Sequence, residues 1–275
     1  MSLPDTPIPE LLSAPDSRCV DSLVASPNFG PRRAKVDMLV LHYTGMASAD
    51  AAIELLRTPA SEVSCHYVVR EDGRVVQMVA EAARAWHAGR SSWEGVTDTN
   101  SRSIGIEIVN GGHDFGLPDF PAEQIAAVIA LSADIVARHG IRADRVLAHS
   151  DVAPARKRDP GENFPWTALH AAGIGHLVPP SRVEGGRFFM LGDTGEPVAA
   201  LKAMLALYGY GIELTDAYDT ETTDVVAAFQ RHFRPAKVDG VADAATILTL
   251  RDLIATRPGD APLERGPIKL VQFDR

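Results

Sequence analysis

The run VDMLVLHY, residues 36–43, decides how the first half of the chain is read. Apolar side chains fill nearly every position from Val36 to Leu41, the pattern of a short strand buried in a sheet. The run ends on His42, a polar residue that an apolar strand would not choose. After the loop residues Tyr43, Thr44 and Gly45, Ser48 or Asp50 can cap a helix that reaches Arg57, where Thr58 and Pro59 stop it.

The same reading extends outward. HYVVR (66–70) and VVQMV (75–79) flank Glu71, Asp72, Gly73 and Arg74, and the Asp-Gly pair marks a hairpin. Residues 86–102 are polar and contain glycine, so they form a long loop of the kind that often carries function. SIGIEIV (103–109) alternates as a strand. Pro121 opens a helix that runs to Gly140, a C-terminal capping glycine. Val146–Ala148 is the last strand. From Val178 to Gly195 the glycine and proline content reads as a linker, and beyond it three amphipathic segments, 198–207, 223–233 and 244–254, make a small all-α module. Residues 1–34 read as an irregular lead-in and 257–275 as a Pro-rich tail.

Composition bounds the function. The chain has 275 residues, long enough for two domains, with 45% hydrophobic and 23% charged residues, an ordinary globular profile. A net charge of −9 argues against duplex nucleic acid as a partner. The two cysteines, Cys19 and Cys65, form neither a disulfide framework nor a thiolate metal cage. No apolar stretch reaches the length of a membrane span. MSLPDTPIPELLSAP lacks the basic and apolar regions of an export signal, so the expected location is cytoplasmic, with the periplasm or cell envelope as the alternative.

Three strand candidates end at or contain a polar group: His42, Glu107 and His149. The last lies in LAHSDVAPARKRDP (147–160), where an apolar run ends on His149 and the chain passes through Lys157 to Asp159. A catalytic zinc site takes three His, Asp or Glu ligands and leaves a fourth position open; His42, His149 and Asp159 are such a set. Each of the three, taken singly, also reads as an ordinary satisfied histidine or turn-forming aspartate. Glu107 has two readings, a solvated strand residue or a general base beside a metal site. Lys157 is either a solvated loop lysine or a cation facing an oxyanion.

These stretches together resemble the zinc-dependent N-acetylmuramoyl-L-alanine amidases of the type 2 amidase family, related to peptidoglycan recognition proteins and phage T7 lysozyme. The carriers, across residues 35–170, are LVLHYT, VSCHYVVREDGRVVQMV, RAWHAG, NSRSIGIEI and LAHSDVAPARKRDPGENFPW. The resemblance implies an α/β catalytic domain over residues 35–177, a central mixed β-sheet flanked by helices. It also implies one zinc ion per chain on His42, His149 and Asp159. Glu107 and Lys157 are then catalytic, the first activating water and the second stabilising the tetrahedral intermediate. The bond cut is the amide between N-acetylmuramic acid and L-alanine in peptidoglycan or muropeptides.

Tyr43, His66, Trp86, His87 and Asn100 are the candidate substrate contacts, although His66, just before an apolar strand, also reads as a core histidine. The segment 196–256 resembles the peptidoglycan-binding domain 1 family through LKAMLALYGYGI, DVVAAFQRHF and VDGVADAAT. Asp243 stands there where that family usually has glycine, and it can cap the following helix. Two alternatives share the same cleft: a non-catalytic muropeptide receptor, and a zinc peptidase acting on the stem peptide.

Overall fold

The computed structural model describes residues 12–183 and 185–259. The readings of residues 1–11 within the lead-in and of 260–275 within the tail lie outside them. Strands β1 (Ser22–Leu23), β2 (Phe29–Pro31) and β3 (Met38–Tyr43) lead into helix α1 (Ala49–Arg57). β4 (Tyr67–Val69) and β5 (Val75–Gln77) form the hairpin, and β6 (Ala83–Ala85) enters the long loop, which closes on the single turn α2 (Thr99–Arg102). β7 (Ser103–Ile108), α3 (Ala122–His139), β8 (Val146–Ala148), the single turn α4 (His149–Val152) and α5 (Trp166–Ala171) complete the first module. α6 (Glu196–Tyr208), α7 (Thr220–Phe233) and α8 (Ala244–Ala255) form the second.

Local chemistry sets the helix ends. The Ser48 hydroxyl accepts from Ala51 N at the start of α1, and Gly140 ends α3 in the left-handed region at φ 66°, where a side chain would be strained. Asp219 and Asp243 cap α7 and α8 by accepting from Thr222 N and Thr246 N. Asp243 also binds the Arg234 guanidinium at 2.7 Å, so the residue that departs from its family pattern is a working cap.

The sheet is mixed, in the order β1-β5-β4-β7-β3-β8. β4 and β5 pair antiparallel; the other neighbours run parallel. A separate antiparallel pair joins β2 to β6. The lead-in is therefore not irregular throughout. Asp21 donates its amide to Val75 O and accepts from Val75 N through its carboxylate, so backbone pairing with a sheet edge overrides a Pro- and Ser-rich composition that carries no alternation.

One sheet face packs Leu39, Leu41, Ile104, Ile106 and Ile108 against Ile125, Val128, Leu131 and Ile135 of α3. The opposite face is covered in two parts. Ala49, Ile53 and Leu56 of α1 lie over Val68 and Val76. At the other flank, Met38 and Leu147 share one apolar cluster with Trp93 and with Val198, Leu205, Val225 and Phe229 of the second module. The polar side chains His42 and Glu107 lie between these covers, on the face shared with Met38.

The two modules thus share a core. Trp93 is fully buried and meets Tyr210 edge-on at 5.0 Å and Tyr208 at 6.1 Å, contacts that add about 0.5–1.5 kcal/mol each beyond the area they bury. The expected linker is also engaged: Phe189 is buried in the same cluster and pairs with Ala242. Arg257, at the head of the expected tail, bonds Asp144 and Leu207 O and contacts Glu94. Among the described residues no helix is long and apolar enough to cross a membrane.

Candidate metal centre and catalytic cleft

Strand register assembles the site. His42 on β3 pairs directly with Glu107 on β7. Leu41 pairs with Ala148 at the end of β8, which places the next residue, His149, beside His42. Three neighbouring parallel strands therefore deliver polar side chains at their carboxyl ends, where open α/β sheets present their ligand sites. The loop from α4 returns to bring in Asp159, whose carbonyl accepts from Ser150 N at 3.0 Å. His42, His149 and Asp159 are all buried, and each offers a ligand atom within 4.8 Å of the others.

The hydrogen bonds fix the imidazole protons. Ser103 Oγ donates to Thr99 O at 2.7 Å, so it is left to accept from His87 Nε2 at 3.1 Å. His87 Nδ1 then carries a lone pair and accepts from His42 Nε2 at 3.0 Å. His149 Nε2 donates to Ala88 O at 3.1 Å. In their neutral forms both His42 and His149 consequently present a bare Nδ1.

These two atoms lie 2.8 Å apart, and Asp159 Oδ2 lies 3.1 and 2.9 Å from them. Lone pairs brought that close repel unless a cation lies among them, and the donor set of two imidazoles and one carboxylate suits zinc. Ligand histidines typically have the far ring nitrogen held by a carbonyl or a further side chain, as both do here.

Titration behaviour follows from burial. Burial, with His149 alongside, pushes His42 down to about 4, which keeps the ring neutral and able to ligate. Burial and the His42 ring push His87 well below the usual imidazole range.

Glu107 behaves in the opposite way. Burial, and then the Asp159 charge, raise it well above the ordinary value, and its Oε2 is buried with no hydrogen-bond partner. A carboxyl with a raised pKa and a free oxygen can exchange a proton with something that enters.

A cleft of about 300 Å³ opens over the centre. Glu107, Lys157, His149 and Asp159 line its floor, together with Tyr43, Trp86 and His87; Met46, Leu55 and Val63 form an apolar side. His66 and Asn100 lie behind it. His66 is fully buried: Gly105 N donates to its Nδ1, its Nε2 donates to Ala83 O, and the Arg32 guanidinium lies 2.9 Å away. Burial, then Arg32, push it down to about 3, so the core-histidine reading describes its surroundings. The Asn100 carbonyl accepts from His87 N and Ala88 N, tying down the backbone that carries one cleft residue and the acceptor of His149.

Several residues at the site escape sequence reasoning. His113 accepts or donates between Tyr43 OH and Glu162, at 3.0 Å on each side. The only hint of it was its place in the glycine-rich stretch NGGHDFG. Asp151 and its partners on the second module carry no local signal.

Residues 32–162 match the N-acetylmuramoyl-L-alanine amidase family model, and residues 194–250 match a peptidoglycan binding domain model. The N-acetylmuramoyl-L-alanine amidase AmiD of Escherichia coli is 41% identical over 228 residues, spanning 77% of this chain and 80% of that enzyme. The 1,6-anhydro-N-acetylmuramyl-L-alanine amidase AmpD of Enterobacter cloacae is 36% identical over 129 residues, 47% of this chain and 67% of that one.

Among solved structures, the complex of E. coli AmiD with anhydro-N-acetylmuramic acid-L-Ala-D-γ-Glu-L-Lys superposes with a TM-score of 0.68 at 37% identity, covering 84% of this chain and 92% of that one. AmpDh3 of Pseudomonas aeruginosa gives 0.67 at 32% identity, covering 84% and 94%. Because the identity to AmiD extends well past the cleft-forming module and over four fifths of that enzyme, the chain belongs to the N-acetylmuramoyl-L-alanine amidase family.

Proposed function

We propose that the chain hydrolyses the amide between N-acetylmuramic acid and L-alanine in peptidoglycan or muropeptides, using one zinc ion held by His42, His149 and Asp159. The observation that carries the reading is the convergence of two bare Nδ1 atoms and one carboxylate oxygen beneath an open cleft. When bound, zinc supplies Lewis acidity at the scissile carbonyl and acidifies water.

The chain's own residues do the rest. Glu107 Oε2 takes the proton of the attacking water and returns it to the departing L-alanine amine, a double duty suited to its raised pKa. The Lys157 ammonium bears the charge that develops on the carbonyl oxygen. Tyr43 and Trp86 offer aromatic surface in the cleft to sugar or peptide. His87 touches the substrate space but chiefly orients His42. The second module, by its family, holds wall polymer near the cleft.

The test is a digest of anhydro-N-acetylmuramic acid-L-Ala-D-γ-Glu-L-Lys, the compound in the AmiD complex, read by mass spectrometry with and without a zinc chelator. Free anhydro-N-acetylmuramic acid and intact tripeptide, lost on chelation and restored by zinc, are expected. Shortened stems would instead point to a peptidase, and tight binding without turnover to a receptor.

A further inference from the structure

We propose that the second module is a working part of the metal centre: Tyr210 and His232 hold Asp151, and Asp151 holds the turn that aims His149. The proposal rests on the metal reading given above.

His149 is the first residue of α4, a single turn directly after β8. A turn that short has little stability of its own and takes its geometry from whatever it is bonded to. Asp151, in the same turn, folds its carboxylate back so that Oδ2 accepts from Ala148 N at 2.8 Å. That amide belongs to the residue bonded directly to His149, so the carboxylate fixes the exit from the strand and the entry to the turn together.

A fully buried carboxylate needs several donors. Asp151 is 0% exposed, and the first module gives it one N–H. The others come from the second module: Tyr210 OH donates to Oδ1 at 2.7 Å, and His232 Nδ1 lies 2.7 Å from Oδ2. His232 cannot swing away, because it stacks on Trp166 at 3.7 Å and on Phe233 at 3.9 Å. The far nitrogen of the His149 ring is held by Ala88 O from the first module alone. One metal ligand is thus oriented at its ring by one module and at its backbone by both.

A metal ligand displaced by a fraction of an ångström loses affinity. Removing the anchors of Asp151 should therefore register at the metal, which a module that only tethers substrate or only adds stability would not do. Tyr210 and His232 are positioning residues, since neither lies among the cleft-lining groups.

The experiment uses the full chain and compares Tyr210→Phe, His232→Gln and the double variant with Leu250→Ala, a substitution at a fully buried site on α8 that leaves the hydrogen bonds to Asp151 in place. Zinc affinity is measured by competition with a chromophoric chelator, ligand geometry by the visible spectrum of the cobalt(II) form, and stability by thermal melting. The double variant should bind zinc about tenfold more weakly and show an altered cobalt spectrum, while Leu250→Ala lowers the Tm and leaves both unchanged. Should the double variant fail to fold, Tyr210→Phe, which removes a single hydroxyl, decides at about threefold. Wild-type zinc affinity and spectrum in the folded variants would overturn the proposal. An equal loss of affinity in Leu250→Ala would do so too, by showing a mere stability effect. A wild-type chain that takes up no zinc would instead remove the metal reading itself.

Discussion

His87 packs so closely on Gly105 that a β-carbon at 105 would sit 2.5 Å from the imidazole Cγ. The same ring accepts from His42 Nε2 at 3.0 Å. Gly105 is therefore the floor on which the orientation of a proposed metal ligand rests. Gly105→Ala must push His87 aside and leave His42 without its partner. Overpacking of this kind costs about 1–3 kcal/mol of stability, and loss of such a partner costs about 10–100-fold in metal affinity or activity. The check is chelator competition beside a melting curve, and a variant that keeps native zinc affinity would contradict the role given to His87.

Glu107 and Lys157 are expected to separate from the proposed metal ligands in their effects. Glu107→Gln keeps the side-chain volume and removes the base, so kcat should fall by about 10²–10⁴ while zinc content stays stoichiometric. Lys157→Ala should lower kcat about a hundredfold or more with KM nearly unchanged, because its charge acts on the oxyanion rather than on the bound substrate. His149→Ala, in contrast, should lose both zinc and turnover. Steady-state kinetics paired with metal analysis on the same preparations reads all three; loss of zinc from Glu107→Gln would remove the distinction.

Acid stability has a definite origin away from the cleft. Glu81 is buried, which would raise its carboxyl, but Arg138 at 2.5 and 2.8 Å, His139 at 2.6 Å and Tyr67 OH at 2.6 Å outweigh that and hold it well below the ordinary range. Its pKa in the folded chain is lower than in the unfolded one, so its contribution is fully present above the unfolded value of 4.5 and is lost as the pH falls below it. Glu81→Gln should cost about 2–3 kcal/mol at pH 7, and the gap from wild type should narrow from about pH 5 toward pH 3. Urea titrations at several pH values measure this; a gap independent of pH would rule out the ionic origin.

What was legible in the sequence follows a physical division. Apolar runs, hairpin turns and helix caps act over a few residues, so β3, the hairpin and the helices α1, α3 and α6–α8 could be read within a few residues of their ends. That these residues gather was legible because strand ends carried polar residues that cores avoid: His42, Glu107 and His149. Pairing of β1 with β5 was not, since two residues at a sheet edge leave no periodicity. Nor was the split between cleft and interior among the candidate contacts, because whether His66 and Asn100 face a cleft or its rear wall depends on strand packing. The junction between modules was invisible for the same reason, as Asp151 and His232 are 81 residues apart in the chain.

That junction predicts how the chain unfolds. Gly209 lies at φ 141°, and a β-carbon there would sit 2.5 Å from the Trp93 ring, so backbone of the second module seats directly on a side chain of the first. Glu94 N donates to Gly209 O at 2.8 Å beside it, and the apolar cluster runs through both modules without a gap. Neither module can melt without exposing part of the core of the other, so calorimetry should show one cooperative transition with matching calorimetric and van't Hoff enthalpies. Gly209→Ala, which meets both the ring and an unfavourable φ, should lower stability by about 2–4 kcal/mol and lower the single Tm without splitting it. Two resolved transitions in the wild-type chain, with the three-helix module melting first, would show that the seam is only a surface contact.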